Sequence, residues 1–258
     1  MAISLSSIIT GKDTKPASVL MYAASGLGKT TFASQAPNAI VIPTEDGIGA
    51  LDYARFPLMK SYDEVKSAIK ELIEQEHNYK TVVIDTVDNL EHLINKKVVD
   101  VYNAQGKRQI TTSSEIPFGG GSVAAMEYWK EICAGLEFLR TNKSMMPILL
   151  AQCAVKKFES PDLEPYDRYQ LAIADRASLY IRSWAQIVLF GNYKTRLRES
   201  DSGKNKALGD GERVLYTQER PTHLAKNRHN LPYEIPFIKD RQWADFQALL
   251  YPIKEPTI

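Results

Sequence analysis

Cysteine is scarce in this chain, long apolar runs are missing, and net charge is almost nil. Each scarcity excludes something. Cys133 and Cys153 are the only cysteines, which gives neither a disulfide framework nor a metal-ligand spacing. No apolar run approaches the ~18–20 residues that a membrane span needs. Residues 1–10 carry no basic start and no long apolar core, so no signal peptide is expected. A reducing, cytoplasmic setting is the resulting expectation. Lys and Arg number 32 against 31 Asp and Glu, a net charge of +1. A nucleic acid, if bound, must therefore meet a local patch rather than a globally basic surface.

What is present suits a sizeable core. The chain has 258 residues, 44% of them hydrophobic, enough for one large α/β domain. The expected division is an arm and linker over 1–17, a core over 18–240 and a C-terminal helix and tail over 241–258. Within the core, an antiparallel meander is expected over about 185–235.

The chain is organised around Ser25-Gly26-Leu27-Gly28-Lys29-Thr30-Thr31, entered by the apolar run Val19 to Ala23. An apolar run, a small-residue loop and Gly-Lys-Thr-Thr opening a helix form the layout of a phosphate-binding loop. Glycines let successive N–H groups converge on one anion, and the following helix adds its dipole. Lys29 would reach the β- and γ-phosphates of ATP, and Thr30 would take a position on Mg²⁺. The full pattern has a glycine where this chain has Ala23, a residue without easy access to positive φ.

Three more strands follow. Ala39 to Ile42, closed by Pro43, empties into an acidic glycine loop containing Glu45 and Asp46. Thr81-Val82-Val83-Ile84-Asp85 is β-branched and apolar, with the acid at its C-terminal end. Phosphate-loop ATPases place an Asp there to hold Mg²⁺. Helix capping is the alternative role, and Thr86 and Asp88 can cap equally well. Met146 to Ala151 is another buried strand, ending in Gln152. Ligands bind at the carboxyl ends of strands in open α/β sheets, so Gly26, Glu45, Asp85 and Gln152 converge if the sheet is parallel.

Elsewhere the patterns are less specific. Ser61 to Glu64 reads as a capping box ahead of a helix. Asn103 to Ser122 reads as a long loop, with Ser122 capping a helix that carries Trp129. A second loop is expected from Cys153 to Pro165, then a helical run over Leu171 to Trp184. A short helix over Trp243 to Leu250 is expected to close a sheet edge. The N-terminal arm reads as a strap over the sheet or as a docking segment for a neighbouring subunit.

The order of strand, phosphate loop, acid, second acid and strand-ending Gln resembles the RecA-like P-loop NTPase core. That resemblance implies a mainly parallel central sheet with helices on both faces, here with a C-terminal antiparallel extension. It also implies that Glu45 activates the attacking water. Gln152 would sense the γ-phosphate and pass its state to a DNA-binding loop. More closely, the chain looks like the short phage-encoded recombinase and single-strand annealing ATPases. The similarity includes Phe118-Gly119-Gly120-Gly121 and Ala225-Lys226-Asn227-Arg228-His229-Asn230-Leu231-Pro232. It implies sequence-independent binding of single-stranded DNA, through Lys107, Arg108, Lys156 and Lys157 in the two long loops. It also implies a filament or ring in which a neighbour donates a cation, Lys226 or Arg228, and a single-strand-binding partner protein. The extra domains of cellular recombinases are missing, which turns the expectation from autonomous strand exchange towards annealing.

Two other classes stay open. A P-loop kinase acting on a small molecule would need an acceptor pocket and an Arg-rich lid, and no compact lid sequence is present. A nucleotide-gated scaffold would bind ATP with little or no hydrolysis.

Overall fold

The computed structural model describes residues 4–8, 10–11, 14–47, 49, 51–106, 108–162, 164–194, 196–199, 205–208 and 211–252. Strand β1 (Val19–Ala23) enters the phosphate loop, which opens helix α1 (Lys29–Ser34). Strands β2 (Ala39–Pro43) and β3 (Ala54–Arg55) precede α2 (Tyr62–Glu74). Then come β4 (Thr81–Asp85), α3 (Val87–Ala104) and the long α4 (Gly120–Asn142). Strand β5 (Met146–Phe158) turns back as β6 (Tyr166–Leu171), followed by α5 (Asp175–Trp184) and β7 (Ile187–Tyr193). The C-terminal part holds β8 (Arg196–Glu199), β9 (Asn205–Leu208) and β10 (Arg213–Tyr216). It finishes with β11 (Lys226–Asn227), β12 (Glu234–Pro236) and α6 (Gln242–Leu250).

The main sheet runs in the order β12-β10-β7-β1-β5-β4-β2-β3. From β7 to β3 every neighbouring pair is parallel, whereas β10 and β11 lie antiparallel to β7, and β12 to β10. β5 is inserted between β1 and β4, so the phosphate-loop strand and the strand of Asp85 are not neighbours. Every residue of β1, β2 and β4 is buried, as the continuous apolar runs require of strands covered on both faces. Helices α2 to α5 cover one face around Trp129, Leu136 and Ile94. On the other face α1 and α6 meet through Phe32, Trp243 and Phe246. The expected architecture of a mainly parallel sheet, helices on both faces and antiparallel C-terminal strands is the one observed.

Several local expectations are corrected. The segment after Gln152 is strand as far as Phe158, and only its far end is a loop. β5 runs on through Phe158 and pairs antiparallel with β6, Cys153 opposite Leu171 and Phe158 opposite Tyr166. Tyr166 to Leu171 is therefore strand, and α5 starts only at Asp175. The stretch before α4 is shorter and more ordered than its polar sequence suggests, with 3₁₀ turns at Ser113–Glu115 and Pro117–Gly119. Gly119, in the left-handed region, takes the N-cap place expected for Ser122. At α2 half of the capping box forms, because Ser61 Oγ accepts from Glu64 N while Glu64 accepts from Lys60 N. Leu5 and Ile8 are 86% and 66% exposed, so these residues do not strap the sheet. Helix α6 covers a face of the sheet through Phe32 rather than closing an edge.

Candidate active site

Parallel register sets the site. Ala23 lies opposite Gln152, and Asp85 lies opposite Pro43 and Leu150, so the ends of β1, β2 and β4 share one edge with Gln152 of β5. Ala23 is the last residue of β1 and is not among the positive-φ residues. Positive φ is needed only at Gly26 (76°) and Gly28 (113°), which are both glycine. Alanine therefore stands at the loop's first position without strain. Leu27 is fully buried and lies over β7, where a Cβ at Gly191 would come within 2.3 Å of its Cδ2. α1 has only 6 residues, so the loop amides and Lys29, rather than a helix macrodipole, supply most of the positive potential.

Lys29 is 6% exposed, and its Nζ donates to Ala23 O (3.1 Å), Ala24 O (3.2 Å) and Gln152 Oε1 (2.8 Å). Burial pulls its pKa down, against the opposing pull of Asp85, Asp88 and Glu45. Thr30 Oγ1 donates to Asp85 Oδ2 at 2.7 Å. Asp85 Oδ1 is buried without a hydrogen-bond partner, and burial pushes the carboxyl's pKa up. A buried carboxylate oxygen left over beside a threonine hydroxyl suits a hard divalent cation, which takes few protein oxygens and completes its shell with phosphate and water. Among the described residues no group of three or more His, Cys, Asp or Glu gathers as a metal cage.

Glu45 and Asp46 part company. Asp46 is exposed, whereas Glu45 is half-buried and its Oε2 accepts from Asn89 Nδ2 (2.8 Å). Burial, then Asp85 and Asp88, raise the Glu45 pKa. Asp88 ties the elements together, accepting from Gln152 N (2.8 Å) and from Thr86 Oγ1 (3.0 Å). Thr44 Oγ1 is braced by Thr86 N, at 2.8 Å.

Three contributors escape a sequence reading. Asp88 and Asn89 follow Asp85 by three and four residues on the first turn of α3, a spacing that returns them to the strand end. Arg213 has no such signal. It reaches across from β10, and its Nη1 donates to Leu27 O of the phosphate loop at 2.9 Å.

The remaining candidates lie elsewhere. Lys156 is bound to Ile173 O and Asp175, and exposed Lys157 stands opposite Asp167 in the β5–β6 hairpin. Exposed Arg108 lies 3.9 Å from Glu115, while Lys107 falls outside the described residues. Lys226 Nζ donates to the carbonyls of Arg182, Ser183 and Ala185, capping the end of α5. Arg228 is exposed.

A family model described as an AAA domain matches residues 15–229. The chain belongs to that family. The match spans the phosphate loop, Glu45, Asp85, Gln152 and Arg213, so the whole constellation is part of the AAA domain. It makes the chain a nucleotide-binding P-loop ATPase domain. One solved structure, described as the crystal structure of the RadB recombinase, aligns with a TM-score of 0.46 and 15% sequence identity. That alignment covers 82% of this chain and 86% of the other. No curated protein matches the chain in sequence.

Proposed function

We propose that this AAA domain hydrolyses ATP with Mg²⁺ and couples its nucleotide state to single-stranded DNA, as a phage-type recombination or annealing ATPase. The observation that carries the reading is the position of Gln152. Its side chain accepts from Lys29 in the phosphate loop, and its backbone continues directly into the β5–β6 hairpin. A phosphate group arriving at Lys29 competes for the proton that Gln152 accepts, so the hairpin is tied to the nucleotide state.

Mg²⁺, when bound, neutralises charge on the phosphate oxygens. Thr30 and Asp85 would hold it. Lys29 stabilises the charge that builds on the transferred phosphoryl group. Glu45, held by Asn89, orients water for in-line attack and takes its proton. The chain's resemblance to annealing ATPases supports single-stranded DNA, a homo-oligomeric ring or filament and a cytoplasmic site of action. Because Lys226 is committed to the end of α5, Arg228 is the cation we assign to a neighbour's site. No helix among the described residues is long and apolar enough to cross a membrane.

The test is ATP turnover with and without single-stranded DNA, with Lys29→Ala as control. Stimulation by DNA that Lys29→Ala abolishes is the expected result. Tight ATP binding without turnover in either condition would sink hydrolysis in favour of a nucleotide-gated scaffold. DNA-independent phosphorylation of a small acceptor would make the protein a kinase.

A further inference from the structure

The Phe118-Gly119-Gly120-Gly121 run has a steric purpose that leads away from the ATP site. A Cβ at Gly121 would stand 2.0 Å from Ser113 O, and one at Gly120 would stand 2.8 Å from Ile116 Cγ2. Only glycines let the two 3₁₀ turns press onto the first turn of α4. The 3₁₀ turn Ser113–Glu115 is locked from its other side by Glu115, which accepts from the amides of Thr111 and Thr112 and is pulled down to about 2 by those bonds. The turn is thereby fixed as a wall between two hollows, which share Asn95 and Ser113. Ser113 Oγ donates to Asn95 Oδ1 at 2.9 Å, closing the wall.

The inner hollow has a volume of about 200 Å³. Trp129, Met126 and Ala177 give it an apolar lining, and Glu91, Ser122 and Arg176 give it acceptors and donors at the rim. Trp129 is 1% exposed, and its indole N–H has no acceptor, a rare condition for a buried donor. The outer hollow, about 370 Å³, is different in kind. His92 and Lys96 on α3 line it together with Thr111 and Thr112, whose hydroxyls donate to Glu115 Oε1 at 2.9 and 3.3 Å. An apolar slot with mixed donors and acceptors, beside a hollow that carries Lys96 and His92, matches the two halves of a nucleotide unit.

We propose that one base of a single DNA strand enters the inner hollow while its backbone phosphate sits against Lys96 and His92. This deepens, and rests on, the single-stranded DNA reading above. It gives the strand a place that Arg108, Lys156 and Lys157 do not provide. The hollow is also wired to the ATP site. Ala174 N donates to both oxygens of Glu91 (3.1 Å each), and two residues earlier Ala172 N donates to Gln152 O (2.9 Å). Helix α3 carries both Asp88, bound to Gln152 N, and Glu91 in the hollow. A base entering there meets Glu91, which shares the 172–174 segment with Gln152.

The experiment compares binding of a thymine strand of about 12 nucleotides with an abasic strand of equal length, by fluorescence anisotropy. The wild type is expected to prefer the strand with bases about tenfold or more, the scale of one stacked base. Ser122→Leu fills the hollow from its rim and should erase that preference, leaving affinity at the abasic level. Lys96→Ala should weaken both strands alike and reduce the salt slope by about one. Melting temperature and ATP affinity check the fold, and Ser114→Leu fills the same hollow should Ser122→Leu not fold. Equal binding of both strands by the wild type, or a preference that survives in both filled variants, overturns the base site and leaves DNA binding standing. Binding of neither strand overturns the DNA reading itself, and the base site with it.

Discussion

Lys29 Nζ and Gln152 Oε1 meet at 2.8 Å across the edge of the sheet, joining the phosphate loop to the last residue of β5 that pairs with β1. The lysine's two other acceptors are carbonyls of its own loop, so Gln152 is its one partner from another strand.

Gln152→Ala should therefore leave nucleotide binding close to wild type while removing the dependence of turnover on DNA. Turnover measured across a DNA titration checks this. An undiminished DNA response in the variant would show that the hairpin reads the nucleotide by another route.

Glu45→Gln should cut turnover by about 10²–10⁴-fold, the usual worth of a general base, while ATP still binds. Asp46→Asn should turn over near the wild-type rate, because Asp46 faces solvent. Burial and the neighbouring carboxylates raise the Glu45 pKa, so activity should fall on acidification at a higher pH than an ordinary carboxylate would give. Paired pH–rate profiles and nucleotide titrations separate the base from a merely structural acid.

Asp85 should act against stability in the absence of its ligand. Its folded pKa is raised by burial, so the folded state holds the proton more tightly than the unfolded state does. Stability then falls as pH rises from the ordinary carboxylate range, about 4, through the raised value, and stays low above it. Asp85→Asn should melt higher than wild type near pH 7 in EDTA, with the gain shrinking below pH ~4. Each kcal/mol would appear as roughly 2–4 °C. The same variant should lose the extra stabilisation that Mg²⁺ with nucleotide gives the wild type.

Gly191→Ala should press on Leu27 and, through it, on the phosphate loop. Overpacking of this kind typically costs 1–3 kcal/mol. A lower melting temperature together with weaker ATP binding is expected, and full ATP affinity in a destabilised variant would separate Leu27 from the loop's function. Arg213→Ala should weaken ATP binding at unchanged maximal turnover, with Arg213→Lys restoring part of it, since it braces Leu27 O without reaching the reacting atoms.

Much of the site was legible because its determinants are local. Gly26 and Gly28 are glycine where backbone φ must be positive, and Lys29 and Thr30 follow at the spacing that phosphate chemistry requires. Asp85 and Gln152 each end an apolar run, and parallel pairing brings such ends to one edge. The polar stretches misled. Cys153 to Pro165 has the composition of a loop, yet one face of β5 and β6 is covered and the backbone pairs as a hairpin. Lys156 and Lys226 have the sequence context of DNA-binding or neighbour-reaching cations, but Asp175 and the carbonyls ending α5 capture them.

The sequence by itself determined the phosphate loop, the buried strands, and Asp85 and Gln152 at the ends of two apolar runs. Those features depend on backbone freedom and on apolar runs a few residues long, which any local stretch carries with it. Tertiary structure decided which side chains reach those strand ends from afar. Arg213 meets Leu27 because β10 pairs with β7 beside β1, and Glu91 meets Ala174 because α3 and α5 pack on the same face. Such meetings follow from strand order and helix packing, which no single segment of the chain encodes.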